Sequence, residues 1–91
     1  MFQESLDLYE QVYVFRKKIF GEDHPATLTI MDNIGMVLEH LERNEEALEM
    51  YETVFDKRRK VLGSDHPATQ QTQGRMIRLF DRQLKKKLGI D

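Results

Sequence analysis

GEDHPAT, at residues 21–27, returns as GSDHPAT at residues 63–69, which is 42 residues further along the chain. The similarity extends upstream, because an alignment of residues 4–27 with residues 46–69 has 13 identities in 24 positions. A fixed period of about 20–50 residues is typical of stacked repeats, in which each unit buries its apolar face only against its neighbours. The repetition therefore predicts a solenoid, and it favours binding over catalysis as the function.

The repeated turn contains signals that end one helix and begin the next. Gly21 and Gly63 can adopt the positive φ that terminates a helix. Pro25 and Pro67 suit the first turn of a helix, where no backbone N–H is needed. The apolar periodicity between these signals predicts an all-α fold of four antiparallel helices. The predicted helices span residues 3–20, 26–42, 45–62 and 68–87.

The two terminal helices differ in their apolar pattern. Helix 3–20 has two apolar stripes, which indicates packing on two sides and predicts an interface or a cut through a larger array. Helix 68–87 has one stripe and an otherwise polar surface, which predicts a capping helix that ends the stack. The stripes of the first helix are Phe2, Leu6, Tyr9, Tyr13, Phe20 and Leu8, Val12, Phe15, Ile19, and that of the last is Met76, Ile77, Phe80, Leu84, Leu88.

Composition narrows the class of protein. The 91 residues suffice for a single small domain, and the absence of cysteine excludes disulfides and thiolate chemistry. The sequence has no apolar run long enough to span a bilayer and no signal-peptide pattern, so we expect a cytoplasmic protein that does not bind membranes. Charge is divided unevenly, with a net −8 over residues 1–53 and a net +6 over residues 54–91.

No pattern in the chain indicates an enzyme, a cofactor or a metal site. Neither serine lies in a nucleophile motif, and no glycine-rich phosphate loop is present. His24 and His66 occupy equivalent turns of neighbouring repeats, so we expect them to bond the turns and not to share a metal. The basic segment 85–87 has no aromatic residues beside it, which argues against a nucleic-acid partner.

Three motifs point to a known family. They are HPATL at residues 24–28 with its second copy HPAT at residues 66–69, NIG at residues 33–35, and NEEALEMY at residues 44–51. Together they resemble the 42-residue tetratricopeptide repeats of the kinesin light chain type. The resemblance implies that residues 1–91 are one helical-repeat domain. In this reading helix 3–20 is the second helix of one repeat, 24–62 is a full repeat, and 67–87 is the first, capping helix of the next.

The resemblance also implies a protein-interaction scaffold that binds an extended peptide on a concave face lined by the first helices. Asn33 matches an asparagine that contacts ligand backbone in such repeats, although it could instead bond a neighbouring helix. Arg75, Arg78 and Arg82 lie on one helical face and could pair with an acidic peptide, or could simply be a solvated surface. The implied groove positions are Thr29, Asp32, Asn33, Met36, His40, Gln71, Gly74, Arg75, Arg78 and Arg82.

A structural role is the alternative. The half-repeats at both ends and the division of charge would suit a homo-oligomer, or a place in a longer repeat array. Head-to-tail stacking of copies would weaken at high salt, because screening reduces the attraction between opposite charges. A symmetric dimer would be sealed by apolar side chains of the first helix and would resist salt. The residues predicted for that contact are Leu6, Tyr9, Tyr13 and Phe15.

Overall fold

A computed structural model describes residues 1–90 and confirms the all-α prediction. Short connections turn each helix back along its predecessor, and the main contacts are α1 with α2, α2 with α3, and α3 with α4. The molecule is a thin slab, with extents of 45 × 33 × 15 Å. This shape is that of helices stacked in a row and not of a closed four-helix bundle. The helices are α1 (Phe2–Phe20), α2 (Pro25–His40), α3 (Asn44–Leu62) and α4 (Pro67–Leu88).

The repeated turn works as its sequence predicts. The glycines that end α1 and α3 have φ angles of 95° and 93°, which residues other than glycine rarely adopt. The histidine that follows caps the next helix through Nδ1, which accepts a hydrogen bond from the N–H of Ala26 at 3.0 Å for His24 and of Ala68 at 3.1 Å for His66. Both histidines therefore bond the turn, as expected.

The connection between α2 and α3 ends α2 two residues earlier than predicted. Glu42 has a φ of 61°, and the N–H of Arg43 donates to the carbonyl of Leu38 at 2.9 Å. This is the hydrogen bond of a Schellman C-cap, here formed without glycine. The local backbone bond outweighs the continuing apolar pattern at Leu41, so the helix stops at His40.

The core lies where α2 and α3 face each other. Ala47, Tyr51 and Val54 of α3 are completely buried, and they contact Leu28 and Leu38 of α2, which are at most 5% exposed. Leu6 of α1 and Leu79 of α4 extend the same core on its two sides. The central helical hairpin thus contains most of the buried apolar side chains of the chain, although Val61 near the end of α3 is 55% exposed.

Of the apolar stripe predicted for α4, only Met76 packs against the core. Leu79, Thr69 and Thr72 are completely buried against the rest of the chain, whereas Ile77 is 62% and Phe80 59% exposed. Because threonine is small, α4 can pack closely on α3 at these two positions. The apolar side chains on the adjacent face of α4 are therefore turned outward. Helix α4 therefore has an apolar outer stripe, and its role as a cap of the stack stays a prediction. This stripe consists of Ile77, Phe80, Leu84 and Leu88.

Helix α1 also places its residues differently from the predicted self-association site. Leu6 is only 1% exposed and belongs to the chain's own core, and Tyr9 and Tyr13 pack against that core. Only Phe15 of the four predicted residues is largely exposed, at 63%. The predicted set therefore mixes two faces of α1, because the stripe with Leu6 is the one that α2 covers.

Candidate functional site

Two ion pairs connect α4 with α2. Arg75 of α4 donates to Asp32 of α2, and Arg82 donates to Glu39 with an Nη2–Oε2 distance of 3.1 Å. The partners are 43 residues apart in both pairs, one more than the repeat period of 42. These pairs therefore link α2 and α4, the two helices predicted to line the concave face.

Asp32 is the centre of a buried polar cluster. Its side chain is 3% exposed, and besides Arg75 it faces Arg58 of α3, whose Nη1 lies 3.6 Å from Oδ2. The same Nη1 donates to the hydroxyl of Thr72 at 2.8 Å and to the carbonyl of Ala68 at 3.1 Å. Burial raises the pKa of the Asp32 carboxyl, and the positive charges of Arg75 and Arg58 act against that shift. The cluster joins three helices.

Glu39 binds groups from two helices at once. Besides Arg82, it accepts a hydrogen bond from the hydroxyl of Tyr51 at 2.8 Å. Burial, together with the negative charge of Glu39, raises the pKa of the Tyr51 hydroxyl well above its usual value. The carboxylate is therefore held by α3 and α4, and it contributes to the structure and not to a ligand site.

These pairs change the role of the predicted arginine row. Arg75 and Arg82 already bind carboxylates of α2, and Arg75 is largely buried by this contact whereas Arg82 stays half-exposed. Arg78 differs, because it is exposed and forms no ion pair among residues 1–90. The spacing of seven residues that puts the outer two arginines opposite Asp32 and Glu39 leaves the middle one at the surface.

The α2 half of the face has a shallow depression of about 260 Å³. Asn33, Met36 and His40 line it from α2, and the rings of Phe2 and His40 stack at a centroid distance of 4.4 Å. Within residues 1–90 the side chain of Asn33 has no hydrogen-bond partner, so the alternative of a bond to a neighbouring helix is not the one observed.

The remaining predicted positions are more peripheral. Thr29 is exposed and its hydroxyl donates to the carbonyl of Pro25 at 2.9 Å, while Gln71 is exposed one turn into α4. Gly74 has open space where a side chain would be. The structure thus brings Asn33, Met36 and His40 together around one depression. Thr29 lies elsewhere on α2, and Gln71 lies on α4.

Sequence reasoning missed the contribution of α1 to this face. Phe2, Ser5 and Tyr9 complete the depression. It also missed a larger groove of about 620 Å³ between α1 and α3, with Met31 and Met50 in its lining and the ion pair Arg43–Glu46 at its rim. A repeat alignment compares positions one period apart, so it gives no signal for grooves between non-equivalent faces.

The comparison with family profiles decides the classification. The profile described as Tetratricopeptide repeat matches residues 2–26 and 27–68, which is most of the chain. The chain belongs to the tetratricopeptide repeat family. No curated protein matches it individually. The kinesin light chain type and the division into half, full and half repeats stay predictions.

Membership of this family indicates the general function of the chain. Tetratricopeptide repeats are protein–protein interaction modules and are in general not enzymes. Among helices of the described residues 1–90, none is long and apolar enough to cross a membrane. In that part of the chain no three His, Asp or Glu side chains are grouped as metal ligands would be.

Proposed function

We propose that the face formed by α2 and α4 binds an extended peptide that carries an acidic residue. The observation that supports it most is the contrast among the polar side chains of this face. Asp32 is paired with Arg75 and Glu39 with Arg82, and of these four side chains Asp32 keeps one buried oxygen, Oδ1, without a partner, whereas the side chains of Asn33 and Arg78 have no partner at all among residues 1–90. Unpaired polar groups on a face of paired ones are the groups that a ligand can satisfy without breaking the structure.

Each part of the face has a distinct task in this proposal. The amide of Asn33 both donates and accepts, so it can bond the backbone of an extended chain whatever its sequence. The guanidinium of Arg78, at the position equivalent to Met36, supplies selectivity for a carboxylate. The depression lined by Met36, His40 and Phe2 offers apolar surface to one side chain of the peptide.

Fluorescence anisotropy with labelled nonapeptide pools tests the proposal. One pool has a central glutamate and the other a central lysine, with all other positions mixed. We expect the glutamate pool to bind more tightly. R78E should reverse the preference, and N33A should weaken both pools by about tenfold, the value of one or two hydrogen bonds.

The matched control is R59E, which makes the same change of charge at an exposed arginine of α3. If R59E alters the preference as much as R78E, the effect is general electrostatic attraction and the proposed site is wrong. Absence of binding by both pools to the wild-type chain would also contradict the proposal.

A further inference from the structure

The outer stripe of α1 is the second uncovered apolar surface of the molecule. We define it as Leu8, Val12, Phe15 and Ile19, which recur at helical spacing; of these, only Val12 is half-buried against the chain's own core. Leu8 is 61%, Phe15 63% and Ile19 57% exposed, although α1 is well packed on its other side. Three large apolar side chains exposed in one line on a small protein indicate an interaction surface.

The repeat shows what kind of contact this stripe is built for. Its residues are equivalent to Met50, Val54, Lys57 and Val61 of α3. Val54 forms a buried cluster with Leu28 and Met31 of α2, and Met50 packs against that cluster. Leu8 and Val12 are therefore equivalent to the residues by which α3 packs on α2 within the central hairpin, whereas Val61, the equivalent of Ile19, is 55% exposed. Among residues 1–90, no helix fills the equivalent place on α1.

Helix α4 of a second copy cannot fill it in the same geometry. In the α2–α3 hairpin the ring of Tyr51 lies so close to Gly35 that a Cβ there would be 2.6 Å from Cε1. The equivalent of Gly35 in α4 is Ile77, and the equivalent of Tyr51 in α1 is Tyr9. An isoleucine and a tyrosine would have to occupy one space, so head-to-tail continuation of the stack between copies is sterically blocked.

The charges beside the stripe fit a second copy of α1 itself. Glu4, Gln11 and Lys18 are exposed and follow one another at intervals of seven residues, so they flank the stripe on one side. A two-fold axis at Gln11 puts Glu4 opposite Lys18 of the second copy and Lys18 opposite Glu4 of the second copy. The same axis brings Leu8 within one residue of the level of Phe15 of the second copy. The basic end of α4, with Arg82 and residues 85–87, offers no such match to its own copy.

We propose that two copies of this chain associate through their α1 helices, packed antiparallel along the outer stripe in an isologous dimer. The apolar stripe provides the contact area, and the Glu4–Lys18 pairs fix the antiparallel register. The interface shares no residue with the proposed peptide site, so this inference does not depend on that site and each can fail alone.

The first test is the solution mass of the full chain by light scattering after size exclusion. We expect a species of about twice the 10.8 kDa chain mass at tens of micromolar. F15E should shift it to the monomer, while I77E, the matched change on the outer stripe of α4, should leave the dimer intact. A wild-type monomer, or dissociation by I77E and not by F15E, would overturn the proposal. Circular dichroism verifies that both variants keep the wild-type helix content.

A charge-swap experiment tests the register. E4K and K18E should each weaken self-association by about tenfold, because each places like charges opposite one another in a two-fold pair. A mixture of the two variants should recover the wild-type affinity, since every facing pair is then again of opposite sign. Mixtures that associate no better than the single variants would exclude the antiparallel α1 pairing.

Discussion

The ring of Tyr51 occupies the space into which a side chain at Gly35 would extend. A Cβ at Gly35 would lie 2.6 Å from Cε1 and 2.9 Å from Cδ1 of Tyr51, which is completely buried. The absence of a side chain in the middle of α2 therefore allows α3 to approach closely. The stability gained from this packing offsets the low helix propensity of glycine.

The first prediction concerns this contact. G35A should lower the free energy of unfolding by about 1–2 kcal/mol, because crowding in the core costs more than the helix propensity of alanine returns. G74A is the matched control, since Gly74 is also within a helix but has open space around it. G74A should raise the free energy of unfolding by about 0.5–1 kcal/mol. Urea unfolding followed by circular dichroism measures both, and stabilisation by G35A would contradict the close packing described.

The second prediction concerns the hydroxyl of Tyr51. Y51F should lower the free energy of unfolding at neutral pH by about 1–2 kcal/mol, because the hydrogen bond to the Glu39 carboxylate is lost.

The same substitution has a pH dependence of defined sign. The pKa of Tyr51 is raised from 10.0 in the folded chain, so at alkaline pH the unfolded chain loses this proton first. The wild-type chain should therefore lose stability as the pH rises through about 10, and Y51F should lose less over the same range. Equal losses in the two proteins would mean that the hydroxyl is not buried and bonded as described.

The third prediction compares two equivalent arginines. Arg16 and Arg58 each donate to the carbonyl of the alanine after the repeated proline, at 2.9 and 3.1 Å, but only Arg58 also contacts Asp32 and Thr72. R58M should lower the free energy of unfolding by about 2–4 kcal/mol, because it leaves buried acceptors unpaired. R16M should lower it by about 1 kcal/mol. Chemical unfolding of both variants measures the two losses in the free energy of unfolding. Equal losses would show that the Asp32 cluster adds no stability.

The fourth prediction concerns the histidine caps. H66A should lower the free energy of unfolding by about 1 kcal/mol, because the N–H of Ala68 loses the acceptor at 3.1 Å. H66N should have a much smaller effect, since asparagine also accepts at an N-cap. Thermal unfolding distinguishes them, and equal losses from both variants would assign the stability to ring packing and not to the cap.

The sequence by itself determined the helical elements, since local rules control them. The positive φ of Gly21 and Gly63, the prolines at the starts of α2 and α4 and the structural histidines all act within one turn of the chain. The period of 42 residues was equally readable, and with it the equivalence of α1 with α3 and of α2 with α4. These features need no knowledge of which side chains meet across helices.

The tertiary structure alone decided which faces are covered and which charges are paired. Leu79, absent from the predicted stripe, is buried while Ile77 and Phe80 are exposed, because the rotation of α4 about its axis depends on how closely its threonines approach α3. In the sequence, Arg75 and Arg82 likewise resembled part of a ligand-binding row. The structure places a carboxylate partner on α2 opposite each of them. A residue's chemistry is local, but its availability depends on neighbours distant in sequence, and packing rather than periodicity determines those neighbours.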